Sequence, residues 1–121
     1  MNNTETTIPT KARPTSKETA LANVFDAYGI ETIAGREFIA IALENAVLMD
    51  RKQRDYGPGN IAGFGTFGVV VRMNDKFERI KHLFLNRRKR ATNESIRDSF
   101  KDISNYAIIA LMLDSGKWPK E

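Results

Sequence analysis

The sequence predicts an all-α protein, an antiparallel helical bundle of three long helices and one short helix. Apolar residues recur at spacings of three and four along four segments, which is the pattern of helices with one buried face. No segment alternates apolar and polar residues in the way that a half-buried strand does. The connections are brief apart from one glycine-rich loop, and short connections favour antiparallel neighbours.

Length, composition and charge set the broad class. The 121 residues can form one domain with a modest core, and we expect a flexible arm over 1–15 and a single domain over 16–121. The absence of cysteine excludes disulfides and thiolate metal sites. The net charge of +4 mildly favours an anionic partner: nucleic acid, a nucleotide or an acidic protein. No run of 18 apolar residues and no signal-peptide core are present, so we expect a cytoplasmic protein without membrane contact.

The short helix has clear start and stop signals. It begins after Thr15, whose spacing to Glu18 is that of a capping box, and it ends at Gly29. The three long helices are predicted over about 36–54, about 69–86 and 94–113. The residues predicted to form the core stripes of the last two are Val69, Met73, Phe77, Ile80, Phe84, Ile96, Phe100, Ile103, Ala107 and Ala110.

The segment 56–68 contains five glycines. Its Gly-x-Gly-x-x-Gly string at 63–68 matches the dinucleotide fingerprint, but a helix rather than a strand precedes it, so we reject a Rossmann motif. Two interpretations stay open. The glycines let backbone N–H groups approach an anion, or the segment is a tight connection packed by Ile61, Phe64 and Phe67.

A polar row on the last helix runs into its apolar part. Asp98, Asp102 and Asn105 lie at spacings of four and three, and the row continues into Ile109 and Leu113. The acids on this line become partly buried, and a partly buried carboxylate needs a cation, a donor or a proton. This row is the strongest functional indication in the sequence.

The preceding helix carries a second polar row, which an antiparallel neighbour would bring opposite the first. Asp75 and Glu78 lie one turn apart and, with Asp102, would form an oxygen site suited to Mg²⁺. Such a site would support attack of water on a phosphoanhydride, with Asn105 orienting water or substrate. The cations able to neutralise the phosphate charge are Arg72, Arg79 and the basic run 87–90.

Three stretches together resemble a known family. They are Arg54-Asp-Tyr-Gly57, Arg72-Met-Asn-Asp-Lys-Phe-Glu-Arg79 and Glu94-x-x-x-Asp98-x-x-x-Asp102-x-x-Asn105-Tyr-Ala-Ile-Ile109. Over about 51–113 the chain resembles the "nucleotide modification associated" helical domain found widely in phage proteins. The resemblance implies a helical fold, a connection with nucleotides and, for a phage protein, a place in the host cytoplasm.

A looser likeness is to the MazG-type all-α nucleotide pyrophosphohydrolases, whose Glu-x-x-Glu and Glu-x-x-Asp pairs hold Mg²⁺ between bundle helices. Asp75 and Glu78 would correspond to the first pair, and Asp102 and Asn105 to the second. The sequence departs from that pattern because Asp replaces Glu twice and Asn105 removes the last carboxylate. Weaker metal binding is therefore expected.

Three functions are compatible with these features. The first is a phage-type protein that holds a phosphorylated nucleoside in a basic, acid-lined cleft and sequesters a host defence signal without turnover. The excess of cations and the missing carboxylate favour it over the alternative, a Mg²⁺-dependent MazG-like hydrolase of nucleoside triphosphates. A DNA-binding accessory protein that uses 87–90 ranks last, because no recognition helix is evident.

The apolar end of the last helix, 108–113, predicts a homo-oligomer. The predicted ligand-binding residues are Tyr56, Gly57, Arg72, Lys76, Arg79, Arg87, Arg88 and Asn105.

Overall fold

A computed structural model describes residues 13–86 and 90–120, with side chains for all of these except 90–94. The described helices are α1 (Ser16–Tyr28), α2 (Ile33–Tyr56), α3 (Pro58–Ala62), α4 (Gly65–Leu85) and α5 (Arg90–Asp114). No strand occurs in this part of the chain, which confirms the all-α class. None of its helices has the length and apolar character needed to cross a bilayer. The predicted arm lies outside the described residues except for 13–15.

The described residues fall into two compact units, which divide between Ile41 and Ala42. The boundary falls inside α2. Helices α3, α4 and α5 all belong to the second unit.

In the first unit, local hydrogen bonds define both ends of α1 and the start of α2. The Thr15 hydroxyl accepts from the backbone N–H of Glu18 at 3.1 Å, and Gly29 closes α1 with a left-handed φ of 67°. Both predicted signals of the short helix are thus confirmed. The Thr32 hydroxyl accepts from the N–H of Gly35 at 2.9 Å, so α2 begins three residues before the predicted start.

The glycine-rich segment is mostly helical, which differs from the predicted loop. Gly57 turns the chain with a φ of 73° between α2 and α3, and α4 begins at Gly65 rather than near residue 69. The predicted packing is correct for Ile61, which is buried, but wrong for Phe64 and Phe67, which are 88% and 76% exposed.

In the second unit, α4 and α5 pack as an antiparallel pair. Val69 on α4 packs in one cluster with Ile109 on α5. Lys76, seven residues later on α4, contacts Asp102, which lies seven residues earlier on α5, so the two helices run in opposite directions. The core cluster consists of Ile61, Val69 and Ile109, with partly buried Met49, Met73, Tyr106, Ala110, Leu113 and Trp118 packed against it. The indole N–H of Trp118 donates to the backbone oxygen of Pro58 at 2.9 Å and fastens the C-terminal segment to α3.

Fewer residues are buried than the predicted core stripes contain. Val69, Ile80 and Ile96 are buried as predicted, but Phe77 and Phe100 are each more than half exposed. Periodicity marks the apolar sides of a helix, whereas burial also requires a neighbour on that side.

We expect Ile109→Ala to lower the free energy of unfolding by about 2–5 kcal/mol, because it leaves a cavity in the core cluster. The matched control is its neighbour Ile108, which is 48% exposed against 4% for Ile109. Ile108→Ala should cost less than about 1 kcal/mol. Urea unfolding of both variants measures the difference, and equal losses would contradict the described core.

Candidate functional site

The second unit contains a cavity of about 380 Å³, called here the first cavity. Helix α2 and helix α5 each contribute residues spaced three and four apart, which lie on one face, while α4 contributes Arg72 and the short α3 contributes Asn60 and Ile61. Its lining residues are Met49, Lys52, Gln53, Tyr56, Asn60, Ile61, Arg72, Asp102, Asn105, Tyr106 and Ile109. The wall therefore combines apolar and aromatic side chains, three amides, and charges of both signs.

Asp102 is the centre of the charged part of this wall. Its Oδ1 contacts Lys52 Nζ and its Oδ2 contacts Lys76 Nζ, both at 3.0 Å, so one carboxylate bridges α2 and α4. Only 13% of the side chain is exposed. This burial alone would raise the pKa of the carboxyl, but the hydrogen bonds and charges of the two lysines outweigh it and hold the pKa below its ordinary value of 3.8. Asp102 therefore stays ionised, with its charge neutralised from two sides.

Asn105 and Arg72 fix the walls around this carboxylate. The amide Nδ2 of Asn105 is buried and donates to the backbone oxygen of Asn45 at 3.2 Å, which joins α5 to α2. The guanidinium of Arg72 donates to the side-chain oxygen of Asn60 at 3.5 Å and to its backbone oxygen at 3.3 Å. These bonds position α3 against α4 and orient Arg72 at the edge of the first cavity.

A second cavity, also of about 380 Å³, adjoins the first along α4. It is lined by Arg72, Asp75, Lys76, Arg79 and Tyr106, and it shares Arg72 and Tyr106 with the first cavity. The α4 residues among them are spaced three and four apart and so project from one side of the helix. Three cations against one acid make this cavity suited to an anion.

The structure gathers most of the predicted ligand-binding residues. Tyr56 and Asn105 line the first cavity, Lys76 and Arg79 the second, and Arg72 both.

The remaining predicted ligand residues are not placed at either cavity. Gly57 forms the turn between α2 and α3 and is absent from both linings, because its role is to adopt a positive φ. Arg87 and Arg88 lie outside the described residues.

The predicted Mg²⁺ ligands do not converge. Asp102 is engaged by two lysines, Asp75 lines the second cavity, and Glu78 is turned away from both cavities and pairs with Lys81 at 3.2 Å. Among the side chains that the structure describes, no group of three or more acidic or histidine residues could hold a metal ion. This arrangement does not fit the predicted magnesium site, since Asp102 and Asp75 line different cavities and Glu78 pairs with Lys81 outside both.

Sequence reasoning missed several wall residues. Lys52 and Gln53 belong to a charged helix end that looks like ordinary solvated surface, and Asn60 lies in the glycine-rich segment. A usable signal was present. Met49, Lys52, Gln53 and Tyr56 share one face of α2, and the apolar Met49 on that face indicates that it meets other helices.

Because the folded-state pKa of Asp102 is lowered, its ion pairs stabilise the fold above the ordinary pKa of 3.8, and this contribution is lost as the pH falls through the lower folded value. Asp102→Asn should therefore lower the free energy of unfolding at pH 7 by up to about 1 kcal/mol, and its deficit relative to the wild type should vanish below the folded pKa.

The exposed Asp98 on the same helix provides the control. Asp98→Asn should leave stability almost unchanged across the same pH range. A deficit for Asp102→Asn that persists unchanged into acid would mean that packing, rather than charge, explains the loss.

Comparison with known proteins supports a nucleotide-related family. The family model described as "Nucleotide modification associated domain 1" matches residues 52–113, which is just over half of the chain. The matched segment contains Lys52, Arg72, Lys76 and Asp102, the charged residues at the junction of the two cavities. No curated protein and no solved structure matches the chain. The chain belongs to the Nucleotide modification associated domain 1 family.

Proposed function

We propose that this protein binds a nucleotide across the two adjoining cavities and retains it without turnover. The observation that carries the proposal is the direct junction of a mixed apolar and amide-lined cavity with a cation-rich one. A nucleotide has the same two parts, a flat heterocycle with polar edges and an anionic phosphate. The description of the family agrees with a nucleotide ligand.

The first cavity has the chemistry that a nucleoside requires. Its volume of about 380 Å³ lies within the usual range for small-molecule sites. Tyr56 and Tyr106 offer aromatic faces on which a base can stack. The amides of Gln53 and Asn60 can donate to and accept from the polar edges of a base.

Retention is favoured over hydrolysis by the state of Asp102. A general base or metal ligand needs a carboxylate that is accessible to water or metal, but both oxygens of Asp102 are bound by lysine ammonium groups. The MazG-like alternative would also need Glu78 to leave Lys81 and rotate toward α5. Retention of an unaltered ligand is what a phage protein needs in order to sequester a defence nucleotide in the host cytoplasm.

A homo-oligomer is the second part of the proposal. The α4 residues Phe67, Val70, Val71 and Phe77 are exposed on sides of the helix turned away from Val69 and Ile80, which are buried. A surface helix with one buried face normally exposes polar side chains on its other sides, so this exposed apolar stripe indicates a further contact. A second copy of the chain is the partner proposed, since the same stripe on each copy can form a self-complementary two-fold interface. Ile108 and Leu111, in the predicted subunit contact on α5, are also exposed.

Retention is tested by incubating the protein with a panel of linear and cyclic nucleotides, with and without Mg²⁺, and releasing the ligand by heat. Chromatography should return the bound nucleotide chemically unchanged under both conditions. Appearance of a monophosphate and pyrophosphate from a triphosphate would instead support the hydrolase. Arg72→Gln should reduce retention strongly, whereas Lys81→Gln, which removes a cation outside both cavities, should not.

The oligomer is tested by introducing charge into the α4 stripe. Val70→Glu together with Phe77→Glu should convert the assembly into monomers, because a buried unpaired carboxylate opposes association. Light scattering after size-exclusion chromatography measures the mass. Lys17→Glu, an exposed position on α1, controls for the change in net charge. A monomeric wild type, or an assembly unaffected by the double substitution, would contradict the proposed interface.

A further inference from the structure

We infer that the ligand is a nucleoside monophosphate, with its nucleoside in the first cavity and its single phosphate in the second. This inference rests on the proposed nucleotide-binding function and adds the number of phosphates and their location. Three features support it: the adjacency of the cavities, the difference in their chemistry, and the balance of charge around them.

The two cavities are close enough to hold one small ligand. Arg72 and Tyr106 belong to both linings. Lys76 lines the second cavity and, through its 3.0 Å contact, reaches Asp102 in the wall of the first. Because the two linings share these side chains, a nucleoside in the first cavity and a phosphate joined to it by one ester bond in the second can lie on either side of Arg72 and Tyr106.

The chemistry of the walls determines which part of the ligand each cavity receives. The first contains Met49, Ile61 and Ile109 together with amide side chains, which suits a base and sugar. The second is lined by four charged side chains and the shared Tyr106, and lacks aliphatic side chains. Arg72 and Arg79 can each donate two hydrogen bonds to phosphate oxygens, a geometry that lysine does not provide.

Charge then limits the number of phosphates. The linings of the two cavities contain four cations (Lys52, Arg72, Lys76 and Arg79) and two acids (Asp75 and Asp102), a net charge of +2. A phosphate monoester carries about −1.5 to −2 near pH 7 and neutralises this excess. Each further phosphate adds negative charge that the walls do not match.

Asp75 further opposes the binding of a second or third phosphate. Its carboxylate lies in the wall of the second cavity beside the three cations, where it would repel a β- or γ-phosphate. Other sites offset polyphosphate charge with Mg²⁺ held on carboxylates, but Asp102 is already bound by two lysines. Asp75 is thus a specificity-determining residue that favours a monophosphate over a triphosphate.

The test is isothermal titration calorimetry of the full chain with nucleosides and their mono-, di- and triphosphates, in the ribose and deoxyribose series of the common bases. Chelator is present so that metal cannot mask phosphate charge. For the preferred base, the monophosphate should bind tightest, and the triphosphate should bind at least roughly tenfold more weakly. A triphosphate that binds as tightly as the monophosphate or more tightly would overturn the inference while leaving nucleotide binding intact.

Variants separate the contributions of the two cavities. Arg79→Gln should weaken monophosphate binding by about tenfold and leave nucleoside binding unchanged, because Arg79 lines only the second cavity. Gln53→Ala should weaken both ligands equally, since Gln53 lines only the first. An equal effect of Arg79→Gln on nucleoside and monophosphate would overturn the placement of the phosphate.

Asp75→Asn tests the selectivity itself. It should reduce the preference for monophosphate over triphosphate by several fold, whereas Asp98→Asn, outside both cavities, should preserve it. An unchanged preference in Asp75→Asn would remove Asp75 from the inference. Failure of every nucleoside and nucleotide to bind the folded wild type would overturn the proposed function together with this inference.

Discussion

The bridge of Lys52, Asp102 and Lys76 is the interaction on which the second unit depends. One carboxylate on α5 holds one lysine from α2 and another from α4, so three long helices meet at a single partly buried charge. Isolated surface ion pairs contribute little to the free energy of unfolding. A partly buried carboxylate whose two oxygens are both paired contributes more, because its charge is compensated on each side. The bond from Asn105 to α2 reinforces the same junction one turn further along α5.

The same bridge determines what the site can do. An acid held between two ammonium groups stays ionised, but neither of its oxygens is free to hold a metal or to activate water. This is why the proposed function is binding rather than hydrolysis. Lys76 belongs both to the bridge and to the cation-rich second cavity, so the proposed anion site shares a residue with the interaction that joins the helices. Because the Asp102 carboxylate is largely buried, salt screens its attraction to the two lysines less than it would screen a surface ion pair.

The sequence predicted much of this fold, and its failures have physical causes. Periodicity located the long helices, and Asp102 and Asn105 of the predicted polar row both line the first cavity. Periodicity could not show that Phe100 lacks a neighbour to bury it, because that depends on the arrangement of helices. It could not distinguish Lys52 from the solvated lysines of any helix end. The magnesium prediction did not allow for the pairing of Glu78 with Lys81 or of Asp102 with two lysines, which spacing along a helix does not reveal.

The most direct measurement is a titration of the Asp102 side-chain carboxyl carbon by NMR in the free, folded protein. If Lys52 and Lys76 hold the carboxylate as described, the midpoint lies below the ordinary value of 3.8. Replacement of either lysine by Met should then raise it, because burial opposes ionisation once a cation is removed. A midpoint at or above 3.8 in the wild type would show that the lysines do not neutralise this acid, and would contradict the junction on which the site is built.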